Sequence, residues 1–197
     1  MQKKLNTIDA VTIALKTHGL LLKQDKQVPS VVSIITGESL RGSWWGHPQS
    51  HSIFSVLSAL EDDPEVALTK LINRKDTFVH RRLWPALLAV GGAREAWQLQ
   101  GLSDEGLKLL HLVDHGAGAV RATGTAAKDL QVRLLVTAQQ VHRDDGRHEL
   151  ALESWTAWSR RLGCKALRSS IEGRRELERA TQSLGAPVRW LPWQSSV

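Results

Sequence analysis

Apolar residues recur at helical spacing along most of the chain, interrupted twice by short β-prone runs followed by polar turns. Residues 7–18 form the first predicted helix: Thr7 caps it, Ile8, Val11, Ile13 and Leu15 give an apolar face, and Gly19 ends it. Pro29 opens a second short helix through Ile35, closed at Gly37. A loop, Arg41-Gly42-Ser43-Trp44-Trp45-Gly46-His47, leads to Pro48 and a third helix carrying Ile53, Phe54, Val56, Leu57 and Leu60, stopped at Asp62-Asp63-Pro64. Val66–Ile72 and Thr77–His80 then read as two strands around the polar turn 73–76. Three helices followed by a hairpin is the order of a winged helix, in which the third helix enters a DNA groove and the hairpin touches backbone.

A similar order returns in the second half. Arg82 to Gln100 reads as a linking helix with Pro85 near its start and a break at Gly91-Gly92. Ser103 caps a helix to Asp114 with Leu107, Leu110 and Val113 on one face. A second helix is predicted from Thr125 to Gln139 through Leu130, Leu134, Leu135 and Ala138. A hairpin centred on Asp145-Gly146 follows, because that dipeptide suits positive φ at both turn positions. Helices at 154–163 and 167–184 come next, and the Pro-containing segment 186–193 is expected as an extended strap. The expected fold class is mainly α with short β-hairpins, in tandem winged-helix-like units. The first unit is 1–100, with the Trp-rich loop and the linking helix; the second is 101–197, with basic C-terminal helices.

Composition adds a preference for polyanions. The 197 residues carry 26 Lys/Arg against 20 Asp/Glu, a net charge of +6. The excess lies at the two ends of the chain. No run of residues is long and apolar enough for a membrane span, and the N-terminus lacks the apolar core of a signal peptide. The one cysteine, Cys164, makes no internal disulfide, which fits a cytoplasmic protein. Eight Trp with no Tyr is an unusual aromatic usage: most are expected in the core, and two or three exposed ones suffice for base stacking.

The richest chemical cluster is Arg41 to His51. Trp44 and Trp45 offer two π-faces beside Arg41, His47 and His51 at a helix start, a combination suited to an unpaired base with a nearby phosphate. The competing expectation is that both indoles cover the core. Lys70, Lys75 and Thr77 lie on the first predicted hairpin, where Lys75, Thr77 and Val79 alternate with Asp76, Phe78 and His80; the lysines are candidate phosphate contacts. His80 beside Arg81 and Arg82 is a candidate acid or base with two phosphate-holding neighbours. His142, Asp144, Asp145 and His148 look metal-like but fall on a hairpin turn where polar groups are expected anyway, so no metal and no cofactor are predicted. No phosphate-binding P-loop, dinucleotide-binding glycine motif, Cys-x-x-Cys or Gly-x-Ser-x-Gly is present, which argues against ATPases, Rossmann oxidoreductases, zinc ribbons and α/β-hydrolases.

The stretches Arg41–Pro48, Lys70-Leu71 and Thr77–Leu87 resemble an uncharacterised family of bacterial proteins, a likeness that brings no activity with it. Leu102 to Trp158 resembles, in element order, the winged-helix segments of the AlkZ-type DNA glycosylases. Those enzymes act with a Gln-x-Gln motif near the start of the chain, and Gln98-Leu99-Gln100 stands at a different place here. The resemblance implies Gln98 and Gln100 as catalytic candidates, beside His47 and His80 from the residue reading. Arg41, Trp44, Trp45, His51, Lys70, Lys75, Thr77, Arg81 and Arg82 are the nucleic-acid-binding candidates. The expected partner is DNA, as duplex or as an extruded base, and the expected activity is DNA repair or defence of glycosylase type. The alternatives are a non-enzymatic winged-helix regulator and a protein-partner adaptor.

Overall fold

The computed structural model describes residues 7–116, 118–142 and 148–194. The chain is mainly helical with two small antiparallel sheets. The first half runs α1 (Thr7–His18), β1 (Leu20–Leu22), α2 (Val31–Thr36), α3 (Ser50–Glu61), β2 (Val66–Thr69) and β3 (Thr77–His80), with sheet order β1-β3-β2. Strand β3 is central, pairing Leu20↔Val79 on one side and Ala67↔Val79 on the other. Both faces of β3 are covered, so Thr77, Phe78 and Val79 are all fully buried. The alternating exposed face predicted for this strand is therefore absent. β1 escaped the sequence reading because Leu20-Leu21-Leu22 is too short and too uniformly apolar to show a period.

Local chemistry accounts for the helix limits. Ser30 caps α2 through a reciprocal capping box with Ser33, one residue after Pro29, and Gly37 at φ 77° closes it. The predicted linking helix is broken into a 3-10 turn at Arg81–Leu83, α4 (Trp84–Gly91) and α5 (Ala96–Leu99). Gly91 is required there for space. A Cβ on it would stand 2.4 Å from the indole of Trp155. Gly91→Ala is expected to cost about 1–3 kcal/mol of stability by this overlap, read as a lowered urea midpoint.

The second half places α6 (Asp104–His115), β4 (Val120–Ala122), α7 (Gly124–Val132), β5 (Thr137–His142) and β6 (His148–Glu153), with sheet order β4-β6-β5. The strands flank the predicted hairpin in register His142↔His148, while Asp144, Asp145 and Gly146 lie outside the described residues. The helix expected over 125–139 stops at Val132 instead. Leu134 takes φ 52°, and Leu135 N–H bonds Leu130 C=O while Leu134 N–H bonds Gln131 C=O. That is a Schellman stop with leucine where glycine is usual. Side-chain bonding from Arg133 to Asp129 braces it. The leucines then part company: Leu134 enters the first core, Leu135 and Val136 the second.

The larger core belongs to the first half and also takes residues from α8 (Trp155–Leu162) and α9 (Ser170–Ser183). The smaller core holds Leu110, Val113, Ala127, Leu130, Leu135, Val136 and Leu152. The C-terminal helices thus pack on the first unit rather than with the second, against their expected grouping. Gly173 of α9 sets the approach to α4, since a Cβ there would meet the Ala86 carbonyl at 2.7 Å. Trp84, Trp155 and Trp158 pack edge to face in this core, and Trp84 donates to Val79 C=O. The terminal segment forms two 3-10 turns, Val188–Trp190 and Pro192–Gln194, rather than an extended strap.

Candidate nucleic-acid interface

Ser43 caps a single 3-10 turn over Trp44–Gly46, and this turn orients the two indoles. Trp44 points into the core, 8% exposed, while Trp45 lies on top of it, 65% exposed. Their rings stack at 4.1 Å and 24°. Trp45 also leans on Phe54 of α3 at 5.9 Å, and Phe54 is itself half exposed. The two competing expectations for this pair are each met by one residue. Trp44 is the core member, and it serves as the floor that holds Trp45 as an outward platform.

The loop that leads into Trp44 and Trp45 also lines, through Leu40, Arg41 and Gly42, an open groove of about 650 Å³ shared with Gln24, Asp25, Lys26 and Lys75. Gln24 holds the loop in place by donating to Gly42 C=O at 2.7 Å. Arg41 and Lys26 make no ion pair with a described residue. Lys75 is paired with Asp25 at 2.7 Å, and the Asp25 carboxylate is almost fully buried. Burial alone would raise the Asp25 pKa; Lys75 and the Gln27 and Val28 amides outweigh it and hold the carboxyl below its ordinary value. The depressed value means that this contribution to stability is present above the ordinary carboxylate range and is lost as pH falls through the folded pKa. Lys75→Met removes one of those partners, so its acid-unfolding limb is expected at higher pH than that of the wild type, as followed by circular dichroism.

The other candidates are placed as follows. His47 accepts from Gln49 N–H and lies 3.5 Å from Glu38, and His51 is exposed on α3. Lys70 is bound to Asp76 at 2.6 Å. Thr77 is enclosed and bonded to Ile72 and Lys75 backbone, which takes it out of reach of any ligand. His80, Arg81 and Arg82 sit at the far end of β3 from Lys75. Arg81 pairs with Glu65, and Arg82 reaches Thr17 C=O across Gly19. The His80 Nδ1 accepts from Arg82 N–H, leaving a buried Nε2 without a hydrogen bond. Burial pulls the His80 pKa down despite the nearby Glu65. Stability is therefore expected to fall as pH drops below about 6.5, since the unfolded imidazole takes up its proton first. Burial pushes the Cys164 thiol pKa up, which disfavours its thiolate.

Gln98 is fully enclosed. Its carbonyl accepts from Glu95 N–H at 2.9 Å, and its amide faces the carbonyls of Gly91, Arg133 and Leu134 at 3.2–3.3 Å. It is a polar clip between the two units, not a group facing substrate. Gln100, two residues on, is exposed and lines a different cavity. The structure thus brings together Arg41 and Lys75, and separately Trp44, Trp45 and Phe54. The remaining candidates are scattered.

No family model matches the chain, and comparisons with curated proteins and with solved structures found no match. The site therefore stands on its own geometry. Among the described residues no group of three His, Cys, Asp or Glu is placed to hold a metal ion. No helix among them is long and apolar enough to cross a membrane. Lys26 and Phe54 are the site residues that sequence reasoning missed. No motif or spacing marks Lys26, and Phe54 counted toward the apolar face of its helix.

Proposed function

We propose that this protein binds nucleic acid at the Trp45–Phe54 platform, with a base stacked on the exposed indole and phosphates toward Arg41 and Lys26. The observation that carries the reading is the outward Trp45, backed by a second stacked indole, on a loop that also lines a groove with two cations unpaired among the described residues. Residues 7–80 support a winged-helix type of unit, with helix, strand, helix, helix, strand, strand and sheet order β1-β3-β2. Two features favour an unpaired base over duplex reading. Helix α3 has no Lys, Arg, Asn or Gln anywhere from Ser50 to Glu61, so it lacks the usual base-reading side chains. The β2–β3 connection is also tied down, with Leu71 and Ile72 fully buried and Asn73 N–H bonded to Trp190 C=O.

The reading stops at binding. Gln98 is committed to the backbone around it, His47 and His80 are each held by local hydrogen bonds, and Gln100 lies at another cavity, so none of the four supports a base-removal step at the platform. A protein partner is the second reading, favoured by the same α3, which carries no Lys or Arg and has Phe54 exposed on it. A salt series separates the two. For a single-stranded oligonucleotide, log K is expected to fall linearly with log salt, and Arg41→Ala to flatten the slope by roughly 0.7 for its lost phosphate contact. Weak binding indifferent to salt overturns the nucleic-acid reading and favours the protein partner.

A further inference from the structure

A second cavity, of about 370 Å³, opens where the β2–β3 turn, the end of α7 and the C-terminal segment meet. It is far from neutral in character. Its lining residues include Arg74, Arg133, Arg189, Trp97 and Trp190, against one acidic residue, Asp129. Asp129 is already engaged by Arg133 at 2.8 Å, so Arg74 gives the lining a positive charge that Asp129 does not meet.

Much of this lining is fixed in advance. Arg133 is held by Asp129 and by the carbonyls of Gln98 and Gln100. Trp97 donates to Glu95 at 2.7 Å and packs against Trp193 at 6.0 Å. The Asn73 N–H bond to Trp190 C=O, at 2.8 Å, joins the turn to the C-terminal segment. Asn73 and Arg74 both adopt left-handed backbone, φ 51° and 57°, an uncommon state for consecutive non-glycine residues and one often met at binding sites. Two polar groups are left over. Among the described residues the Arg74 guanidinium and the Gln100 side-chain amide have no hydrogen-bond or ion-pair partner.

We propose that this cavity is a second ligand site, for one phosphorylated planar base. Indole surface takes the base, Gln100 offers an amide to the base edge, and Arg74 meets the phosphate. The volume lies at the small end of the roughly 300–1,000 Å³ range of ligand pockets, which suits one nucleotide rather than a longer strand. The phosphorylated base comes either as a free mononucleotide or as the 5′-phosphorylated end of a strand.

The test is isothermal titration of the full chain with adenosine and guanosine 5′-monophosphates, with the nucleosides as controls. At least one monophosphate is expected to bind about tenfold or more tightly than its nucleoside. Arg74→Ala is expected to abolish that preference; it keeps a Cβ at the left-handed position, so the backbone demand is unchanged. Val132→Trp, which fills the cavity, is expected to block binding, with melting checked in parallel. Trp45→Ala is expected to leave the Arg74-dependent preference for the monophosphate unchanged, so failure here is distinguishable from failure of the platform. Oligonucleotides with and without a 5′-phosphate separate the sources: a preference for the phosphorylated end assigns strand ends, and mononucleotide binding alone assigns the free nucleotide. Absence of mononucleotide and 5′-phosphate binding at millimolar concentration, binding unchanged in Arg74→Ala, or the monophosphate preference lost in Trp45→Ala overturns the proposal.

Discussion

Gln98→Met is expected to destabilise the protein by about 2–4 kcal/mol, although methionine keeps most of the volume. The cost is polar. Methionine leaves Glu95 N–H without its acceptor and, among the described residues, takes away the side-chain donor to the Gly91 and Arg133 carbonyls in an enclosed space. Leu134 C=O keeps the Trp155 indole N–H at 2.7 Å and is not abandoned. For a chain of this size the loss corresponds to a melting temperature lower by roughly 5–15 °C. A residue used only for catalysis would behave in the opposite way, leaving stability untouched or improved when replaced. Differential scanning calorimetry of the variant therefore decides whether Gln98 is a clip between units. Unchanged melting in Gln98→Met returns it to the list of free functional groups.

The clip also shows where sequence reasoning reaches its limit. The three helices and hairpin of the first half follow from caps, apolar spacing and turn residues that act within a few positions. Pro29, Gly37 and Asp62-Asp63-Pro64 are signals of that local kind, and the corresponding elements lie close to where they were expected. Leu134 is different. Its spacing from Leu130 suits a continuing helix, and only the opposed demands of two cores turn the backbone left-handed there. Gln98 met a similar fate: a Gln-x-Gln tripeptide says nothing about carbonyls 35 residues later that enclose it. The tethered β2–β3 turn depends on Trp190, more than a hundred positions away in sequence, and so it read as a free wing. The Trp44-Trp45 pair was visible as a cluster, but which ring faces outward is settled by the single 3-10 turn that carries them.

Trp45→Ala carries the second large effect, on binding rather than folding. Trp45 is mostly exposed and rests on Trp44 and Phe54, so its removal uncovers part of two rings while leaving the core intact. Stacking of a base on an aromatic side chain is worth about 1–3 kcal/mol, so affinity for single strands is expected to drop roughly 5- to 150-fold. Trp45→Phe retains a π-face and is expected to recover part of it. Arg41→Ala acts on the phosphate instead and weakens all sequences alike, with a shallower salt dependence.

The most direct measurement is fluorescence anisotropy of a labelled single-stranded oligonucleotide titrated with wild type, Trp45→Ala and Trp45→Phe at a low and a higher salt concentration. Nucleic-acid binding through the exposed indole predicts salt-sensitive wild-type binding, a loss in Trp45→Ala within the range above, and partial recovery in Trp45→Phe, all at unchanged melting temperature. Equal affinity in Trp45→Ala, or no wild-type binding at low salt, contradicts it.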